Sequence, residues 1–312
     1  MISASIDWES VTLVGLLAPT IRYGTPIAFA SLGESFSQRA GVINIGIEGV
    51  MLSGACTGAV VSLASGNVLL GFFAAMFASV AVMAAIAGLV LALRANQIVV
   101  GVGVNLAALG VTTIVAKRIG SDLTNVAALR PIRIPGLKDL PWVGEILFRS
   151  KATVYVLVVV VIGCSLLLNK TAWGLRVKAV GEMPAAADAA GIVVNRVRLQ
   201  AMLLCGALAG LGGAALSLGS ASGFTENMVA GQGFIALVAV IFGRWRPAPV
   251  ALGAMFFSLF IAVGFNAAPW GLTIAPQIIN SVPYLASLAA LIVLRKNASP
   301  PTSLSQPFVR KR

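Results

Sequence analysis

Asn44 and Glu48 stand four residues apart in Ala40–Ala55, a stretch that is apolar apart from these two and Ser53 and is punctuated by Gly41, Gly46, Gly49 and Gly54. A carboxylate inside hydrocarbon is costly unless it is paired, hydrogen-bonded, protonated or turned toward water. On a continuous helix the four-residue spacing puts both side chains on one face, where Asn44 would hydrogen-bond the acid. The glycines let neighbouring backbone approach and make an interrupted helix tolerable beside a cavity. Two roles fit these residues: a polar face on a translocation path, or a hydrogen bond that holds helices together. Asn105, behind Gln97 in G-V-G-V-N, and Gln232, between Gly231 and Gly233, pose the same choice, as do Asn266 and Asn280. Amides of this kind read polar solutes through donor and acceptor pairs, and they also tie helices together. Phe224, Phe234 and Trp270 offer stacking surfaces for a planar ligand, or anchors at a membrane interface.

Other chemistries lack their parts. The chain contains no histidine, and its three cysteines, Cys56, Cys164 and Cys205, lie singly in apolar runs. No soft-metal site and no activated nucleophile can be assembled from them, and they read as small packing residues. No catalytic, cofactor-binding or metal-ligating residue is predicted.

The elements that must carry the polar positions are membrane helices. Of 312 residues, 58% are hydrophobic and 10% charged, and the mean hydropathy is +0.96. Apolar stretches of about 17 to 25 residues have the length to cross the hydrocarbon core as helix. Such stretches lie near 10–33, 42–63, 69–93, 98–116, 152–169, 200–218, 233–243, 249–266 and 274–294. The expectation is an all-α, polytopic integral membrane bundle of about 8–10 transmembrane helices, some of them short or broken. Residues 1–294 form one transmembrane domain, and 295–312, basic and rich in proline and serine, is expected to be a disordered tail. The first segment, beginning with Asp7 and Glu9, lacks the basic region of a cleavable signal. Two connections are long, 117–151 and 170–198. The first, with P-I-R-I-P-G-L and D-L-P-W, suits either a short external lid or a plain exposed loop.

Basic residues sit between and after the apolar segments rather than on one soluble face, so the net charge of +12 speaks for membrane topology and against nucleic acid. With the 170–198 loop placed in the cytoplasm, strict alternation adds Arg39, Arg94, Arg244, Arg246 and the basic tail to that side. The 117–151 connection then lies outside. This predicts a cytoplasmic carboxyl terminus and an external amino terminus. A weak echo links Ile45–Leu52 with Val229–Leu237: each places an acid or amide between glycines before an apolar run. That pattern suggests a two-half pseudo-repeat with a midplane site.

The most patterned stretch is T-A-W-G-L-R-V-K-A-V-G-E-M-P-A-A-A-D-A-A-G-I, Thr171–Ile192. Pro184 opens and Gly191 closes an alanine-rich segment of about two helical turns. A short helix held out between two spans has the shape to dock in a groove of a soluble partner. This stretch resembles the coupling-loop signature of permease subunits of bacterial ABC importers, in the ribose/simple-sugar and branched-chain amino-acid group. G-E-S-F-S-Q-R-A-G-V-I-N-I-G-I-E-G-V-M-L-S-G-A and G-Q-G-F-I-A-L-V-A-V-I-F-G-R-W-R-P are more narrowly similar to its nucleoside-importer branch, whose binding proteins are basic membrane lipoproteins. The resemblance covers most of residues 20–295.

The resemblance implies a multi-pass protein of the bacterial inner membrane that is a transport subunit and not itself an enzyme. It would carry a small polar solute, most readily a nucleoside, with a simple sugar as the alternative. The implied partners are a second permease, identical or related, two cytoplasmic ATPase subunits and an external substrate-binding lipoprotein. Gly181, Glu182, Met183, Pro184, Ala185, Ala186, Ala187, Asp188 and Gly191 would seat the ATPase. Asn44, Glu48, Asn105 and Gln232 are the candidates for lining the pathway. This chain has no G-x-x-x-x-G-K-[ST] loop, so ATP and Mg belong to the partner subunits and no cofactor is expected here. An ion-coupled secondary transporter is the rival class; its proton relay would rest on Glu48 alone, and it would have no need of the patterned loop.

Overall fold

The computed structural model of the chain describes residues 13–132, 150–266, 281–282, 284–286, 288–289, 292 and 300–309. Among them the regular structure is helical. The elements are α1 (Leu13–Arg39), α2 (Ile47–Ser65), α3 (Val68–Ala87), α4 (Gln97–Ile119), α5 (Ala152–Lys170), α6 (Ala172–Glu182), α7 (Pro184–Ala189), α8 (Val194–Ala214), α9 (Gln232–Phe242) and α10 (Pro247–Asn266). α3 and α8 each widen into a π-helical turn at the carboxyl end, over Gly88–Ala92 and Ala215–Ala221. Six of the described helices are long and apolar enough to cross a membrane: α2, α3, α4, α5, α8 and α10, the first π turn continuing α3 and the second α8. Trp270 and Asn280 fall outside the described residues.

Burial sorts these helices into layers. In α8 78% of the apolar window is buried, against 17% in α4. α8 is therefore the axis of the bundle, while α4 presents Val99, Leu106 and Val111 outward. α8 can be central because its glycines admit backbone on several sides. A Cβ at Gly213 would collide with the Met51 carbonyl of α2, and one at Gly210 would lie 2.6 Å from the Ala75 carbonyl of α3. α1 lies beside it, with Ile27, Phe29, Leu32 and Phe36 almost wholly enclosed. At 27 residues it is about 40 Å long. It tolerates Glu34 because protein, and not lipid, surrounds that part of its length.

The connections follow local chemistry. Asn67 and Asn96 cap α3 and α4, each accepting backbone N–H groups of the first turn. Beyond α4 the chain runs through a 3₁₀ turn, Gly120–Thr124, and packs along the end of α8 through Val126 N–H to Ser222 O (3.1 Å) and Leu129 N–H to Leu218 O (3.0 Å). An isolated bridge joins Pro131 to Lys151. Residues 133–149, the remainder of the anticipated lid, lie outside the described residues. The tail departs from expectation. Residues 300–309 are folded against α6 and α8, with Ser303 N–H on Gly181 O at 3.0 Å and Ser305 N–H on Gly41 O at 3.1 Å. Composition alone predicted disorder because it counts apolar residues, whereas this segment is held mainly by backbone and hydroxyl hydrogen bonds.

Candidate functional site

Residues 40–46 do not continue a helix. From the end of α1 the chain turns back into the bundle and α2 starts only at Ile47. The depth of this re-entry can be read along α4. Ile43 N–H donates to Gln97 Oε1 at 3.0 Å, while two residues later Ile45 O accepts from Asn105 Nδ2 at 3.0 Å. Gln97 and Asn105 are eight residues apart on one helix, about 12 Å. α2 therefore begins well inside the bundle.

A helix that starts in the interior exposes unpaired N–H groups, and the caps come from other elements. Gly46, at the N-cap of α2, has no side chain to serve. Asn105 Oδ1 accepts the Gly49 N–H instead, at 2.8 Å. With its Nδ2 on Ile45 O, the Asn105 amide is engaged on both ends and fastens α4 to the start of α2. α9 is treated in the same way. Its N-cap, Gly231, adopts φ +85° and again has no side-chain cap. Glu48 supplies it: Oε1 accepts the Gly231 N–H at 2.6 Å and Oε2 the Gly233 N–H at 2.7 Å. Glu48 also occupies the first turn of α2, so two helix N-termini favour its negative charge. Its side chain stays partly exposed.

The two glycine-flanked segments that echo one another in the sequence thus meet at a single carboxylate. Gly233 permits the contact, since a Cβ there would lie 2.7 Å from the Glu48 backbone and from Oε2. Tyr284 closes one side through its hydroxyl on Ala230 O at 2.5 Å. Gln232, at the same junction, has a buried Oε1 without a hydrogen-bond partner among the described residues. The anticipated hydrogen bond between Asn44 and Glu48 is absent. Asn44 precedes the helix, so the four-residue rule does not apply; its side chain is buried, and neither amide atom meets a partner in hydrogen-bond geometry among the described residues. Phe224 is enclosed and Asn266 donates to its own helix at Ala262 O, whereas Phe234 remains exposed.

Sequence reasoning overlooked a second polar group. Glu34 is fully enclosed and accepts from Gln38 Nε2 (2.9 Å), the Asn44 N–H (3.0 Å) and Cys205 Sγ (3.4 Å). Gln38 Oε1 in turn accepts the Trp245 indole N–H at 2.7 Å. This chain of bonds joins α1, the re-entrant loop, α8 and the turn after α9. The signal was present in the sequence: Glu34 and Gln38 are four apart on a continuous helix. Cys205 is more than packing, since it is one of the acid's donors.

On the face where α1 ends, α6 and α7 form a projecting pair. Thr171 Oγ1 accepts the Gly174 N–H at 3.0 Å and caps α6. Trp173 donates to Gln200 at 2.9 Å, and its ring lies 5.8 Å from that of Phe36. Gly181 sits directly on the Arg39 carbonyl, with no room for a Cβ. Arg39 also approaches Glu182 at 3.8 Å. Pro184 takes the first position of α7, and Gly191, at φ +84°, follows its end. The predicted two-turn helix is present. Ala187 is its inward anchor, while Met183 is 69% exposed and Ala185, Ala186 and Ala189 also face outward. Asp188 lies beside a shallow groove with Arg94 and Phe308. Desolvation, then the neighbouring Arg39 and Arg246, hold the Lys178 ammonium below the ordinary lysine range. Arg39, Arg94, Arg246 and the tail therefore share the face of α6 and α7, the grouping that alternation predicts.

Short helices that start inside a bundle of apolar spans, with their N-termini capped by polar side chains of other helices, are the anatomy of a membrane permease. The chain belongs to the branched-chain amino acid transport system / permease component family, whose profile matches residues 16–294. The guanosine ABC transporter permease protein NupQ of Bacillus subtilis is 33% identical, across 97% of this chain and 99% of the relative. The nucleoside ABC transporter permease protein NupC of Lactococcus lactis is 32% identical, across 96% and 98%. TsgC13 of Haloferax volcanii, which carries a glucose ABC transporter permease name, is 34% identical, across 95% and 98%. No solved structure matches the chain.

Proposed function

We propose that this chain is the translocation subunit of a nucleoside importer driven by ATP on separate subunits. It pairs with a second permease, receives solute from an external binding lipoprotein and seats an ATPase on α6 and α7, which places that face and the carboxyl terminus in the cytoplasm. Two near-full-length relatives named for guanosine or nucleoside transport support the solute class. The observation that carries the coupling role is α7 itself: a short helix with Ala185 and Ala186 outward and Met183 exposed at its N-cap, on a frame fixed to α1 by Gly181 and Arg39. An exposed apolar ridge on a rigid mount suits docking into a groove of a soluble protein.

Within the bundle, Glu48 and Gln232 are the residues we assign to the pathway. Glu48 is a partly exposed carboxyl group, and Gln232 Oε1, without a partner among the described residues, can accept from a solute hydroxyl or amino group. Asn105 and Asn44 build the frame around them. Movement of α6 and α7 on ATP binding would pass through Arg39 to the α1–α2 corner and shift the junction that Glu48 closes, a two-state change biased by nucleotide. The glucose-named relative keeps a sugar reading in play.

The test is uptake of radiolabelled guanosine and glucose into proteoliposomes holding this chain with its ATPase and binding protein. Accumulation of guanosine that needs ATP and is not displaced by excess glucose is the expected result. Glucose accumulation would move the assignment to sugars. Accumulation by this chain alone under an ion gradient would overturn the ATP-driven reading.

A further inference from the structure

The tail and Arg198 form a closed hydrogen-bonded ring around the base of the coupling helices. Arg198, on the first turns of α8, is 1% exposed, and no carboxylate is within ion-pair distance of it among the described residues. Its guanidinium is used as a three-way connector. Nε donates to Ala40 O at 3.1 Å, one terminal nitrogen to Gln306 O at 2.9 Å and the other to Ser303 Oγ at 3.3 Å. Ser303 continues the ring, since its hydroxyl donates to Gly181 O at 2.7 Å and its own N–H reaches the same carbonyl. Thr302 Oγ1 donates to Glu182 Oε2 at 3.0 Å, and Ser305 N–H closes onto Gly41 O. Phe308 packs on the core beyond. Gly41, at φ +93°, leaves the space the ring occupies, because a Cβ there would lie 2.7 Å from Ser303 Oγ and 2.8 Å from Arg198.

A planar guanidinium with fixed donors suits such a junction, where a flexible ammonium would satisfy fewer acceptors. The ring ties the end of α6, which leads into α7, to Ala40 and Gly41, the residues that enter the re-entrant loop. Asn44 and Glu48 follow within that loop and the first turn of α2. We propose that residues 300–309 are a coupling strap and that Arg198 is its positioning residue: together they transmit displacement of α6 and α7 to the re-entrant loop. The inference rests on the reading of α7 as the ATPase seat.

The assembled transporter in proteoliposomes tests it, with solute delivered per ATP hydrolysed as the readout and guanosine, or glucose if that is what accumulates, as the probe. A merely structural strap would change the amount of complex and not this ratio. In Arg198→Gln and in a chain lacking residues 299–312, the ratio should fall by about 3- to 30-fold with the ATPase still bound at native stoichiometry. Arg198→Lys should recover part of the loss. Ser303→Ala, which removes one hydroxyl, should lower the ratio by about 3-fold even if the larger changes prevent folding. A native ratio in Ser303→Ala, or loss that follows the amount of complex alone, would overturn the strap. Failure of the reading beneath it looks different: Met183→Glu would then leave ATPase binding and the ratio unchanged.

Discussion

Glu48 owes its place to two backbone N–H groups of another helix, and that fixes what its replacement should do. Glutamine can accept one of the two and must turn its own amide donor toward the other. Glu48→Gln is therefore expected to destabilise the fold by about 1–3 kcal/mol and to lower uptake further than the loss of folded protein explains, read by thermal unfolding beside uptake per folded molecule. Uptake that merely follows folded protein would remove Glu48 from the pathway. Asn105→Ala should behave as a frame mutation. It leaves the Gly49 N–H and Ile45 carbonyl unpaired, costing about 1–3 kcal/mol, with uptake per folded molecule close to native; a large loss of uptake at native stability would place Asn105 in contact with solute. The sequence made Glu48, Asn105 and Gln232 conspicuous because polar groups stand out in apolar runs. Their partners were not legible, since backbone donors carry no sequence signature. Glu34 does not stand out in the sequence, because the first apolar stretch ends near residue 33 and the acid reads as part of the connection that follows.

At the scale of elements, α8 and the short α9 carry the architecture. Small residues along α8 let three helices approach its backbone, so bulk at one point should be felt by all of them. Gly213→Leu is expected to cost about 1–3 kcal/mol or more through overpacking against Met51 and Ala55 of α2, seen as loss of monodisperse protein in detergent. Native yield and stability would mean that α2 and α8 are not packed at this distance. The apolar spans were readable from length and hydropathy, as was α7 from Pro184 and Gly191. The re-entry at 40–46 was readable only as a hint, because glycine and asparagine mark an interruption without saying which way the chain turns. The docking of 300–309 was not legible, since its bonds go to carbonyls of Gly41, Val180 and Gly181.

For the whole molecule, the arrangement sets a route from one face to the interior. α6 and α7 stand on the end of α1, the strap binds them to the α1–α2 corner, and the corner leads to the carboxylate that caps α9. Arg39, Lys178 and Arg246 gather on the face that carries α6 and α7. The claim that force enters through α7 is tested most directly by the amount of ATPase retained on the purified complex when Met183 becomes Glu. Met183 is mostly exposed, so the substitution should leave the bundle intact and monodisperse. We predict that ATPase retention falls by about 10-fold or more, as expected for a charge placed at the apolar centre of an interface, and that ATP-dependent uptake falls with it. Full retention of the ATPase with native uptake would contradict the account.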